Sequence, residues 1–194
     1  ITVLGKRGPW DDLHQAPSIS VKLSAIHPRY EAMNRRRARE ELAPRIIKLA
    51  RLAADNNISM TIDAEEADRL AASLDVIELV TGDPSLEGWN GFGMAVQAYQ
   101  KRAPAVIEWL ADLARRTRHR LSVRLVKGAY WDYEIKHAQE LGLVDYPVFT
   151  RKANTDVSYL ACVRQLLATD PDWIYPAFAT HNAHTIAAVQ HLAG

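Results

Sequence analysis

Short β-branched, apolar runs alternate along this chain with longer stretches of helical periodicity, and that alternation admits few folds. Residues 19–26, 58–64, 92–99, 121–126 and 174–180 read as strands. Between them, Leu42, Ile46, Leu49 and Ala53 mark a helix over 35–54, and Glu65-Glu66 opens another that carries Leu70, Leu74 and Ile77 and closes at Gly82-Asp83-Pro84. Val106, Leu110 and Leu113 mark a third; helices follow over 133–141, around Leu160, Val163 and Leu167, and over 184–192. Strands separated by whole helices pair in parallel through right-handed crossovers, so the class is α/β.

Polar residues decide between an open sheet and a barrel. Lys22, Asp63, Gln97, Arg124 with Lys127, and Thr180-His181 all fall in or just after the C-terminal halves of different strands. Convergence of that kind describes the catalytic rim of a (βα)8 TIM-type barrel, and no Gly-x-Gly-x-x-Gly follows the first strand to support a Rossmann fold. A barrel takes about 250 residues and eight strands. With 194 residues and about five visible strands, the chain is expected to be an incomplete portion of a barrel. Residues 1–18, with Gly5, Gly8, Pro9 and Pro17, read as a short apolar start and an irregular N-terminal segment, and 19–194 as the partial barrel domain. Open sheet edges predict poor folding in isolation.

The stretch 121–132 changes character halfway. Arg124 interrupts an apolar strand, Lys127-Gly128-Ala129 forms a small basic turn, and Tyr130 and Trp131 add flat faces. These features suit a large, planar, partly anionic ligand at a strand end, which describes a nucleotide cofactor. Lys+Arg 24 against Asp+Glu 23 leaves a net charge of +1, so bulk charge favours no nucleic-acid partner, and the basic run 115–120 reads as helix-end surface charge. The single cysteine, Cys162, excludes an internal disulfide, reads as a small core residue and fits a cytoplasmic setting. No apolar run approaches the roughly 18 to 20 residues of a membrane span, and no signal-peptide core opens the chain, which leaves peripheral membrane contact open. Taken singly, Asp63 could cap a helix, Arg124 could pair with a carboxylate inside the sheet, and His181 with His184 could suggest a metal pair without a third ligand.

Five motifs together carry a resemblance. Residues 21–30 (Val-Lys-Leu-Ser-Ala-Ile-His-Pro-Arg-Tyr), 62–66 (Ile-Asp-Ala-Glu-Glu), 97–102 (Gln-Ala-Tyr-Gln-Lys-Arg), 124–132 (Arg-Leu-Val-Lys-Gly-Ala-Tyr-Trp-Asp) and 179–182 (Ala-Thr-His-Asn) closely resemble the flavin-dependent proline dehydrogenase domain, in the version carried by bacterial proline utilization A. The resemblance implies a distorted (βα)8 barrel that binds FAD, oxidises L-proline to Δ1-pyrroline-5-carboxylate and passes electrons to a membrane quinone. It also implies fusion to a glutamate semialdehyde dehydrogenase domain and a cytoplasmic protein peripheral at the inner membrane. By match to the motifs, Arg124 belongs at the flavin N5 side, Gln97 along the isoalloxazine edge, and Lys127, Gly128 and Ala129 at the pyrophosphate. Ala64, Trp131, Thr180 and His181 contact the rest of the cofactor; no metal is implied. Asp63 sits beside the substrate, Lys22 pairs with its carboxylate and Tyr130 covers its ring. Residues 1–18 do not match the family's first strand, and the arginine pair that completes the carboxylate clamp lies on a family helix beyond the last residue here.

The chemistry of these residue types agrees. A cation near N5 stabilises charge developing there, a carboxylate can position or deprotonate the amine, and an ammonium suits a carboxylate. Two rivals stand beside this reading. A lysine at a barrel strand end, Lys127 or Lys22, could form a Schiff base, as in a lyase. Alternatively, the chain could be an inactive flavin-binding or interaction module without the clamp.

Overall fold

A computed structural model describes residues 1–5, 12–30 and 34–194; the predicted irregular segment around Gly8 and Pro9 lies outside the described residues. A short helix α1 (Thr2–Gly5) precedes β1 (Ser18–Val21) and α2 (Leu23–Ile26). Helix α3 (Arg35–Arg37) runs through a π-turn (Ala38–Leu42) into α4 (Ala43–Asp55). Then come β2 (Ser59–Ile62), α5 (Leu70–Thr81) entered through a 3-10 turn, β3 (Phe92–Gln97), α6 (Ala103–Thr117), β4 (Leu121–Val126) and α7 (Trp131–Glu140). Helix α8 (Lys152–Ala168), β5 (Ile174–Phe178) and α9 (Ala183–Ala193) complete the order.

The five strands among the described residues pair in parallel, in the order β1-β2-β3-β4-β5. Each crossover therefore lands on the next position, with no reversal of strand order of the kind a doubly wound sheet requires. The sheet is also curled. Arg124 on β4 donates 2.7 Å to the Ser20 hydroxyl on β1, although three strand spacings, about 14 Å at ~4.8 Å each, would separate those strands in a flat sheet. The in-register neighbours of Arg124 are Ala95 and Ala177, whose small side chains leave the guanidinium room to cross.

Curling gives the sheet two unlike faces. Along β4, Leu121, Val123 and Leu125 are buried and Ser122, Arg124 and Val126 half-buried, the period of a strand with one covered face. The covered face joins Met60, Ile62, Met94 and Val96 to Ile46 and Ala50 of α4, Ile77 of α5, Ile107 and Leu110 of α6, and Tyr159 and Val163 of α8. Fully burying each large aliphatic there contributes about 1.5–3 kcal/mol. At the centre, all six residues of β3 are buried, whereas β1 alternates between exposed and half-buried.

Several boundaries differ from the sequence reading. Residues 23–26, read as the end of the first strand, form helix α2, closed by the bond from the His27 N–H to the Leu23 carbonyl. A tertiary contact, the Ser24 N–H donating 3.1 Å to the Glu65 carboxylate, holds that turn, and no local pattern announces it. Lys22 is in consequence an exposed residue just past the strand end. Glu65 and Glu66 lie in the loop ahead of the helix, whose 3-10 turn starts at Ala67. Helix 35–54 is continuous but changes register: Ala43 bonds back to Ala38, five residues away, just before Pro44, which has no N–H to give. The segment 1–18 contains helix α1 and the first residue of β1.

Candidate active site

The C-terminal strand ends open into one cavity of about 540 Å³, on whose wall stand Lys22, Asp63, Ala64, Gln97, Arg124, Lys127, Gly128, Ala129, Tyr130, Thr180 and His181. Five strands and the loops after them deliver these side chains to the same place. Trp131 is the one sequence-predicted site residue outside it. It lines an adjoining cavity of about 460 Å³ with Tyr99, Thr150 and Thr155, and its indole Nε1 donates 3.0 Å to the Phe149 carbonyl. Lys127, Gly128 and Lys152 belong to both cavities.

Arg124 is the most constrained cation of the site. One terminal nitrogen donates to the Ser20 hydroxyl and the other pairs with the Asp63 carboxylate, with both partners of that pair partly exposed. Asp63 therefore does not cap the following 3-10 turn, whose N-cap is Glu66. Gln97, almost fully buried, ties two loops together: its Nε2 donates 2.9 Å to the Glu65 carbonyl and its Oε1 accepts the Ala129 N–H at 3.2 Å. That bond orients the small turn after β4. Gly128 stands there at φ +148°, and a Cβ on it would come 2.4 Å from the Tyr99 ring, so only glycine lets the turn lie flat on the tyrosine.

On the opposite wall, Lys22 Nζ lies 5.9 Å from the centre of the Tyr130 ring. Lys22 is an ammonium at neutral pH, and its hydrogen bond with the Tyr130 hydroxyl, followed by the charge interaction with that group, raises its pKa further. Thr180 Oγ1 accepts the Asn182 N–H at 3.1 Å, and Asn182 in turn caps α9 by accepting the Thr185 N–H at 3.0 Å. His181 and His184 are exposed, and no cluster of three or more His, Cys, Asp or Glu suited to a metal occurs among the described residues.

A model of the family described as Proline dehydrogenase matches residues 1–194. The chain belongs to the proline dehydrogenase family. The match includes residues 1–18, which the motifs alone had left outside the resemblance. The bifunctional protein PutA of Salmonella typhimurium is 58% identical over 194 residues, which is 100% of this chain and 15% of that protein. Among solved structures, a point mutant of Bradyrhizobium japonicum proline utilization A superposes with a TM-score of 0.95 at 57% identity, covering 98% of this chain and 20% of that one. A more distant one, proline utilization A from Bdellovibrio bacteriovorus inactivated by N-propargylglycine, gives a TM-score of 0.86 at 30% identity over 95% of this chain and 20% of that chain. The chain thus spans about a seventh of the length of the PutA relatives, and its parallel α/β sheet matches that of their barrel domain.

Sequence reasoning missed Lys152 and Asn182, which line the first cavity, and Thr150, which lines the second. Thr150 and Lys152 follow a long loop at the start of α8, far from any strand end, where the rim rule gives no signal. Asn182 was detectable as a helix cap three residues before Thr185.

Proposed function

We propose that this domain oxidises L-proline to Δ1-pyrroline-5-carboxylate by hydride transfer to FAD. The observation that carries the reading is the pairing of two cavities across Lys127, Gly128 and Lys152, with Arg124 held over the larger by Asp63 and Ser20. Two flat ring systems joined by an anionic linker match that shape and charge. The flat Gly128 turn gives such a linker close backbone approach, and two lysines stand beside it, so the residues present fit the cofactor. Arg124 and Gln97 would hold the isoalloxazine, Lys127, Gly128 and Ala129 the pyrophosphate, and Ala64, Trp131, Thr180 and His181 the remainder.

FAD, when bound, supplies the hydride acceptor. The chain supplies charge and position. Arg124 is preorganised by two partners before any ligand arrives, which is the condition for electrostatic stabilisation without reorganisation. Asp63 is engaged with Arg124, so its role is to orient that guanidinium and the substrate amine, with proton removal from the amine left to solvent or to Asp63 once proline has rearranged the pair. Lys22, an ammonium beside Tyr130, meets the proline carboxylate, and the Tyr130 ring closes over the apolar face of the substrate. We infer further that a membrane quinone accepts the electrons, that the chain works in the cytoplasm with peripheral membrane contact, and that a glutamate semialdehyde dehydrogenase domain shares the polypeptide. The relatives' description as bifunctional supports the last point. No helix among the described residues is long and apolar enough to cross a membrane.

The Schiff-base alternative fares worse on the geometry. A nucleophilic lysine needs its neutral form, and Tyr130 raises the Lys22 pKa while Asp156 engages Lys127 at 2.5 Å. The test is an absorbance spectrum of the chain with FAD before and after anaerobic L-proline. Bleaching of bound flavin establishes the reaction. Bound flavin that stays yellow favours the inactive-module reading, and absence of bound flavin overturns the proposal.

A further inference from the structure

Beside the junction of the two cavities stands a carboxylate: Asp156 lines a smaller, third cavity with Lys127, Asn182 and His184. Lys127 Nζ lies 2.5 Å from Asp156 Oδ1, and Lys152 Nζ lies 2.8 Å from Asp156 Oδ2, so one carboxylate holds both lysines. Lys127 also sits 5.9 Å over the Tyr159 ring, which fixes it from below, whereas Lys152 is largely solvent-exposed. Asp156 and Lys152 are one turn apart on α8, so the position of the carboxylate is set by a helix rather than by a loop. The hydrogen bond from Lys127, then that from Lys152, holds the Asp156 carboxyl below the usual carboxylate range, so it is ionised at neutral pH.

We propose that Asp156 is a resident counter-ion of the Lys127–Lys152 pair, with which the phosphate groups of a bound ligand compete, and that it sets how tightly the site holds them. The identity of that ligand as FAD rests on the function proposed above; the counter-ion role does not. Two ammonium groups and one carboxylate leave a single net positive charge at the junction. An arriving diphosphate therefore meets a cation pair already half neutralised, and must share or displace the carboxylate. Removing the carboxylate leaves two unneutralised cations and a stronger, more salt-sensitive attraction for phosphate. Asp156 does not touch the substrate in this scheme; it acts through the lysines, and on one part of the ligand only.

The experiment compares the full chain with its Asp156→Asn and Asp156→Glu variants, titrated with FAD and with riboflavin, which has no phosphate, at low and high salt. For Asp156→Asn, the FAD dissociation constant falls about tenfold at low salt, with a steeper salt dependence, while riboflavin affinity is unchanged. Asp156→Glu restores the wild-type values. Weaker or unchanged FAD binding in Asp156→Asn overturns the proposal, because the carboxylate then only positions the lysines or does nothing. An equal change for riboflavin also overturns it, as a general structural effect. If the wild-type chain binds neither flavin, the cofactor reading fails by itself, and calorimetric titration with inorganic diphosphate decides the counter-ion role. Tighter diphosphate binding by Asp156→Asn supports it, and identical or weaker binding overturns it.

Discussion

The two faces of the curled sheet are built from alternate residues of the same strands, yet they answer to different chemistry. On the helix side of β4, Val123 and Leu125 have no exposed surface and belong to the hydrophobic core. On the concave side, between those two residues, Arg124 reaches past β3 to the Asp63 carboxylate at the end of β2 and on to the Ser20 hydroxyl of β1. One face holds the fold by burying mostly apolar side chains. The other holds charge and leaves space, so its residues contribute little to stability and can be chosen for what they bind.

If that division is real, substitutions one residue apart separate cleanly. Leu125→Ala, on the covered face, lowers the free energy of unfolding by about 2–5 kcal/mol in denaturant titration. Arg124→Met, its neighbour, costs about 1 kcal/mol or less in the same measurement, because the pair it breaks is partly solvated. In stopped-flow reduction by proline, however, Arg124→Met slows flavin bleaching by about 10²–10³-fold. A loss of stability as large as that of Leu125→Ala would break the comparison.

Gly128→Ala tests the boundary between the faces. Its new methyl meets the buried Tyr99 ring at 2.4 Å in a backbone conformation that disfavours a side chain. The expected cost is about 1–3 kcal/mol in thermal or chemical unfolding, accompanied by weaker flavin retention on gel filtration. Here stability and binding fall together, unlike at Arg124.

The smallest effect runs the other way. Glu134 of α7 is buried, accepts the Ala67 N–H at 2.6 Å and has its pKa raised, chiefly by burial. A carboxyl whose folded pKa lies above its unfolded value binds protons better in the native state. Its stabilising share is complete below the unfolded value and is lost as pH rises through the folded one. Glu134→Gln keeps the acceptor for Ala67 and removes the buried charge. Melting curves are expected to place the variant slightly above wild type near neutral pH, with the gain disappearing at about pH 4.

Much of this division was legible in the sequence. The apolar run 121–126, interrupted by Arg124, was readable as a buried strand, and the polar residues in and after the strand ends as a rim, because both follow from local pattern; which residues of the run face the helices was not. What escaped depended on distant partners. The helix at residues 23–26 is held by Glu65, forty-one positions away, and the Gln97 amide links two loops that only the finished barrel wall brings together. Lys152 was invisible for a similar reason: its place at the site is decided by how a long loop returns to α8, not by the residues around it.

The strict sequential order of the strands also bears on time. Each strand from β2 onward pairs with the one made immediately before it, so a chain emerging from the ribosome meets its partner already present. Among these strands none has to be inserted between two that are already paired, and the wall of the site can assemble one strand and helix at a time, in the direction of synthesis.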